Sequence, residues 1–263
     1  MDEPSAPDTD GPLILLSNDD GVRARGIRTL RRALEGLGRV VTVAPAEEQS
    51  SKSHALTLSR PLRHRQLDDD VHSVDGTPAD CIYVALYREL LLPRWPDLVV
   101  SGINHGFNLG TDVFYSGTVA AAREAALRGL PAMAVSLGPK GDFEAAAAEA
   151  ARLAERMIAA EREGGALLSV NVPGGPPPYR GVRATRIGRR LYREEVTVRE
   201  DPWGKEYYWL GGPGTRHEPV EGSDTEAVDD GYVSVTPLAL DGTAPHELGL
   251  AAYVAGPPPE EGS

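Results

Sequence analysis

The chain has 263 residues, a formal net charge of −12 and a single cysteine, Cys81. That length allows one large domain or two small ones, with a core that needs no disulfide framework. No basic block runs along the chain, so a long nucleic-acid partner is not expected. No apolar stretch approaches a membrane span, so no membrane contact is expected either. The lone cysteine and the lack of a basic, apolar leader fit a cytoplasmic protein.

Residues 1–11 are acidic and proline-rich and read as a disordered tail. The first ordered element is the run Leu13-Ile-Leu-Leu-Ser17, apolar enough for a fully buried parallel strand. It ends in Asn18-Asp19-Asp20-Gly21. Open α/β sheets place their ligands at strand C-terminal ends. Two carboxylates so close together call for a cation between them, and Gly21 permits the turn that lets them converge. On these residues alone a second reading stands beside the metal site: a solvated turn that caps the next helix.

A helix follows, with Ile27, Leu30, Leu34 and Leu37 at helical spacing, and then a strand, Val40–Ala44, closed by Pro45. The polar segment 46–55 reads as a loop over a site, and 56–58 and 71–74 as short extended pieces. Thr77-Pro78-Ala79-Asp80 opens a helix: Thr77 suits the cap, Pro78 the first turn and Asp80 the capping box. The buried strand Asp97–Ser101 leads into a Gly- and Asn-rich loop, 102–110. A helix starts near Ser116-Gly117-Thr118 and stops at Gly129 before Pro131. Its start reads either as an anion seat or as an ordinary Ser/Thr cap. The strand 132–137, the Ala-rich helix 143–163 and the strand 167–172 follow. This alternation predicts a mostly parallel sheet covered on both faces.

From about Arg180 the pattern turns β-rich, with strands predicted over 182–187, 195–199, 206–210 and 232–236. They read as a hairpin arm used in oligomer contacts, or as an antiparallel edge of the same sheet. The expected organisation is a core over 12–180, a β-rich extension over 181–255 and a disordered tail over 256–263.

Three predicted strands thus end in oxygen-rich loops: Asn18-Asp19-Asp20, the segment Glu47–His54, and Ser101-Gly102-Ile103-Asn104. Carboxylate, hydroxyl and amide oxygens suit Mg²⁺, Mn²⁺ or Ca²⁺ rather than zinc. The turn after the first strand is not G-x-G-x-x-G, and neither a P-loop nor a G-x-S-x-G elbow occurs. A nicotinamide-dependent oxidoreductase is therefore disfavoured.

Taken in order, the motifs resemble the SurE family of stationary-phase survival proteins, metal-dependent 5′/3′-nucleotidases. The pieces are Ile14–Gly21, Ala44-Pro45 with Ser50, Leu56-Thr57-Leu58, Gly76–Cys81, Val100–Asn104, Gly106 with Asn108-Leu109-Gly110, and Tyr115–Val119. Asn171-Val172-Pro173 and Asp229–Leu238 fit as well. The resemblance implies a three-layer, Rossmann-like α/β/α fold with a C-terminal arm, and homodimers or homotetramers with exchanged C-terminal elements. It implies one divalent ion per subunit, Mg²⁺ or Mn²⁺, on Asp19, Asp20, Ser50 and Asn104. Asp19 and Asp20 are then the catalytic pair, ligands before they are acid or base. Asn18, Gly21, Ser116, Gly117 and Thr118 are expected around the phosphate, with His54 a candidate acid. The implied reaction is hydrolysis of a nucleoside monophosphate by metal-activated water. The alternatives are a nucleophilic-aspartate phosphatase and a nucleotide-binding module without turnover. Arg25 and His105 depart from the family pattern, standing where relatives often carry Pro and a small residue.

Overall fold

In a computed structural model that describes residues 11–161, 164–192, 195–211 and 215–256, the run Leu13–Ser17 becomes β1, buried along its whole length. Its alternate side chains serve two layers. Ile14 and Leu16 pack into one core cluster with Ile27, Leu30, Ala147 and Ala150. Leu13 and Leu15 pack into another with Ile82, Ala85, Val119 and Ala122. Each such aliphatic side chain contributes roughly 1.5–3 kcal/mol on burial. A strand with both faces apolar is thereby held at the centre of three layers.

The elements that follow are α1 (Arg25–Leu34), β2 (Arg39–Pro45), β3 (His64–Asp68), β4 (Val71–Val74), α2 (Pro78–Tyr87) and β5 (Leu98–His105). Next come a 3-10 turn (Gly110–Phe114), α3 (Gly117–Leu127), β6 (Pro131–Leu137), α4 (Phe143–Ala159) and β7 (Ala166–Val172). The remainder comprises β8 (Val182–Ala184), β9 (Arg189–Tyr192), β10 (Val196–Glu200), β11 (Glu206–Leu210), β12 (Thr215–Glu218), α5 (Asp224–Asp229), β13 (Val233–Pro237) and α6 (Leu248–Ala255). The nine-stranded sheet runs β3-β4-β2-β1-β5-β6-β7-β13-β8. Strands β4, β2, β1, β5, β6 and β7 are parallel. β3 and β13 run antiparallel to their neighbours β4 and β7. From β1 the chain steps outward to β2 on one side and later to β5 on the other. The strand order therefore reverses at β1, and the crevice at that end is where such sheets bind ligands.

Several expectations are corrected here. Residues 56–58 form no strand, and the extended piece is β3, eight residues on from Leu56. Its sequence His-Arg-Gln-Leu-Asp carries no apolar alternation, and backbone pairing with β4 holds it as a sheet edge. β5 runs on to His105, with a register break between Ser101 and Asn104, so Asn104 stands on a strand end rather than in a loop. α1 ends at Leu34, short of Leu37. α4 ends at Ala159, and residues 162–163 of its predicted extent lie outside the described residues. The predicted tails also lie outside them, except Gly11 and Gly256. The C-terminal strands divide, with β13 antiparallel on β7 and β8 parallel on β13. β13 and β8 complete the main sheet, while β10–β11 and β9–β12 form separate antiparallel pairs.

Candidate active site

β1 ends one residue before Asn18, and the turn that follows is braced from inside. The Asn18 amide donates to the Gly21 carbonyl at 2.9 Å. Gly21 has φ +95°, and a Cβ there would meet the Glu47 backbone at 3.3 Å. The residue type is thus dictated by both dihedral and space. Two hydrogen bonds tie the turn to the loop after β2: Val22 N–H to the Pro45 carbonyl and Gln49 N–H to the Asp19 carbonyl, each 2.8 Å.

Asp19, Asp20, Ser50 and Asn104 line one cavity of about 810 Å³. They reach it from the ends of β1, β2 and β5. Asp19 is only 4% exposed. Its carboxyl is pushed up to about 6, chiefly by burial and further by the Asp20 charge, while the Thr118 hydroxyl on its Oδ1 pulls the other way. Asp20 is also raised, by burial first and by Glu48 next, against the His105 backbone N–H and ring. Ser50 donates to Glu48 Oε1 at 2.8 Å. The Asn104 amide nitrogen donates to the Gly106 carbonyl at 2.9 Å, which leaves its oxygen for a cation. Among the described residues no three His, Cys, Asp or Glu side chains cluster as a metal site. The donor set is mixed: two adjacent carboxylates, a hydroxyl and an amide. Hard oxygen donors and a buried acid beside a half-buried one fit a divalent cation of the Mg²⁺ or Mn²⁺ kind.

The remaining predicted residues divide between the cavity lining and the turns behind it. Ser116 lines the cavity and caps α3, its Oγ accepting from Val119 N–H at 3.1 Å. Gly117 and Thr118 lie behind Asp19. Thr118 is fully buried and its hydroxyl is spent on Asp19, so it orients the carboxylate rather than offering a side-chain donor to phosphate. Asn18 and Gly21 shape the turn without lining the cavity. His54 is a correction. Its Nε2 pairs with the buried Glu124 on α3 at 2.8 Å, and Arg128 holds the same carboxylate, so His54 anchors its loop and is no acid at this cavity. The two departures from the family pattern meet on Phe143, with Arg25 5.2 Å and His105 5.9 Å from its ring.

One wall comes from residues that local reading missed. Arg190 and Tyr192 of β9 both reach Asp112 Oδ2 at 2.6 Å. Buried Asp224 of α5 holds them there, accepting from Gly110 N–H at 2.9 Å and Gly188 N–H at 2.8 Å. The only prior signal was spacing: Arg190 and Tyr192 are two apart and share a strand face.

Comparison with known proteins agrees with the geometry. The family model described as "Survival protein SurE" matches residues 14–194. A protein named 5'-nucleotidase SurE from Sorangium cellulosum is 55% identical, over 93% of this chain and 96% of that protein. One of the same name from Aeromonas hydrophila is 47% identical, over 92% of this chain and 98% of that protein. The crystal structure of the SurE protein from Aquifex aeolicus superposes with a TM-score of 0.80 at 40% identity, covering 93% of this chain and all of that one. Motif order, three-layer fold and extent of similarity agree over the length that carries the site, and the chain belongs to the SurE family.

Proposed function

We propose that this chain hydrolyses nucleoside monophosphates to nucleoside and phosphate, as a metal-dependent 5′-nucleotidase that also accepts 3′-monophosphates. The observation that carries the reading is the meeting of Asp19, Asp20, Ser50 and Asn104 at one cavity, where the strand order reverses. These four residues would hold one Mg²⁺ or Mn²⁺ ion. When bound, such an ion supplies Lewis-acid stabilisation of the phosphoryl oxygens and a more acidic water. The chain's own groups do the rest. Thr118 fixes Asp19, and Asn18 with Gly21 fixes the turn. The start of α3 at Ser116–Thr118 turns its positive end toward the phosphate. Asp20, the less buried of the pair, takes the proton of the attacking water. The names of the relatives support the reaction class.

The substrate is a small molecule, and among the described residues no helix is long and apolar enough to cross a membrane. Cys81 is buried and unpaired, which suits a reducing cytoplasm. The exposed hairpin β10–β11 and helix α6 suit contact with further copies of this chain, as a homodimer or homotetramer.

The test is Asp19→Asn, which keeps the shape and removes the charge. The variant is expected to bind Mn²⁺ weakly and to lose nearly all Mn²⁺-stimulated phosphate release from AMP, while its circular dichroism is retained. Undiminished activity would remove Asp19 from the site. A phosphoenzyme trapped on Asp19 or Asp20 would convert the mechanism to a nucleophilic one. AMP binding with no release under Mg²⁺ or Mn²⁺ would make the chain a binding module.

A further inference from the structure

The cavity is lined by the acids Asp19, Asp20 and Glu48 and also by aromatic residues that the hydrolytic machinery does not use. Tyr115 and Tyr192 are among them. Both are left open to solvent, Tyr115 68% and Tyr192 49% exposed, so their faces are accessible to a ligand in the cavity.

The Tyr192 ring is anchored, and Tyr115 is held through its backbone. Asp112 ties both residues: its backbone carbonyl accepts from Tyr115 N–H at 3.0 Å, and its Oδ2 accepts from the Tyr192 phenol at 2.6 Å. Burial and the Asp112 carboxylate push the Tyr192 phenol well above its ordinary range, so it remains a donor. Arg190, on the same carboxylate, lies 5.2 Å from the Tyr192 ring centroid and backs it with its guanidinium. An anchored aromatic ring such as that of Tyr192 binds planar partners without a large ordering cost.

Position selects the partner. Tyr115 immediately precedes Ser116, the cap of α3, so its Cα lies about 3.8 Å from that of the first phosphate-seat residue. In a nucleotide one sugar separates the phosphate from the base. A phosphate at the start of α3 therefore delivers its base to the rings beside it. The volume, about 810 Å³, is ample for a nucleotide.

We propose that Tyr115 and Tyr192, which line the same cavity and are tied to Asp112 through a backbone N–H and a phenol respectively, form the nucleobase seat of this site, with Tyr192 supplied by the C-terminal arm. The proposal rests on the phosphomonoesterase reading and adds what selects a nucleotide over other phosphate esters. Stacking uses the π face that every base carries, so the seat favours nucleotides as a class over any single base.

The experiment compares kcat/KM for AMP with kcat/KM for glycerol 2-phosphate, which has no ring. The ratio is expected to fall about tenfold in Tyr192→Leu and in Tyr115→Leu, mainly through KM for AMP. Tyr192→Phe keeps the ring but gives up its anchor on Asp112, and is expected to lower the ratio less than Tyr192→Leu. If Tyr192→Leu fails to fold, Tyr115→Leu at its more exposed position carries the test. An unchanged ratio, whether both activities fall together or neither does, overturns the seat. Equilibrium dialysis of AMP separates this outcome from failure of the hydrolytic reading. Wild type that turns over neither ester but binds AMP more tightly than Tyr115→Leu retains the seat and loses the enzyme. Equal binding by the two proteins overturns the seat.

Discussion

A Cβ placed on Gly117 would stand 2.7 Å from the Asp19 Cβ and 3.0 Å from its Oδ2. Real side chains do not approach so closely, and Asp19 has nowhere to go, being buried and bonded to Thr118. Gly117→Ala must therefore displace either Asp19 or the first turn of α3. Overpacking of this kind costs about 1–3 kcal/mol, to be read as a lower melting temperature. Displacing Asp19 is expected to lower Mn²⁺ affinity and AMP hydrolysis at least about tenfold, since small misplacements at reacting centres cost that much or more. A manganese titration of the alanine variant checks this, and a lowered melting temperature with undiminished affinity would mean that the first turn of α3, not Asp19, gives way. Legibility at this scale followed locality. Asp19 and Asp20 announced themselves as adjacent acids after an apolar run. Ser50 and Asn104 had no local signature beyond lying in polar segments, and only the ordered motifs picked them out. Arg190 and Tyr192 reach Asp112 across 78 and 80 residues of chain, a distance over which no periodicity speaks.

The sheet edge at β3–β4 carries a hydrogen-bond chain whose order is fixed by its ends. Arg88 donates to His64 Nδ1, so His64 must donate from Nε2 to His72 Nδ1, 3.0 Å away. Both rings are therefore neutral. Burial, with Arg88, holds both below the ordinary histidine range, while Asp70 opposes the shift at His72 and is itself held by Arg39. A base whose pKa is depressed by folding binds protons better when unfolded. The stability it contributes is present above the ordinary value of about 6.5 and is lost as pH falls below it. The melting temperature is expected to drop between pH 7 and 5, and His72→Gln to flatten that drop. Asp19, raised to about 6, titrates in the opposite sense, so the difference between wild type and variant is the quantity to read. Parallel profiles for the two proteins would dismiss the histidine chain as a source of acid sensitivity. Elements were legible where they carry a local chemical reason. Thr77 and Asp80 form the expected reciprocal capping box, at 3.1 and 2.9 Å. The polar β3 carries no such reason, and its strand conformation comes from its neighbour.

At the scale of the whole molecule, the three layers follow from alternating apolar runs, each of which needs cover on both faces, and that was legible from β1 onward. The arm obeys a different rule. Among the described residues β10 and β11 pair only with each other, and all of β11 is exposed, with Val196, Val198, Trp209 and Leu210 open to solvent. An isolated two-stranded hairpin is marginal in water, and exposed apolar surface of this extent marks an interaction face. α6 repeats the pattern, with Leu248, Leu250, Tyr253 and Val254 exposed and none of its residues buried. The sequence pattern shows the apolar residues but no partner for them, and among the described residues they remain exposed. A second copy satisfies this without a new component, since exchanged arms bury the same residues twice. Wild type is therefore expected to sediment as a dimer or larger particle at micromolar concentration, and Trp209→Glu, which sets a charge on the hairpin, to shift it to smaller species. The variant should keep its core fold, because no strand of the nine-stranded sheet pairs with β10 or β11. A wild-type chain that sediments as a monomer over that range would leave the hairpin and α6 to a partner other than itself.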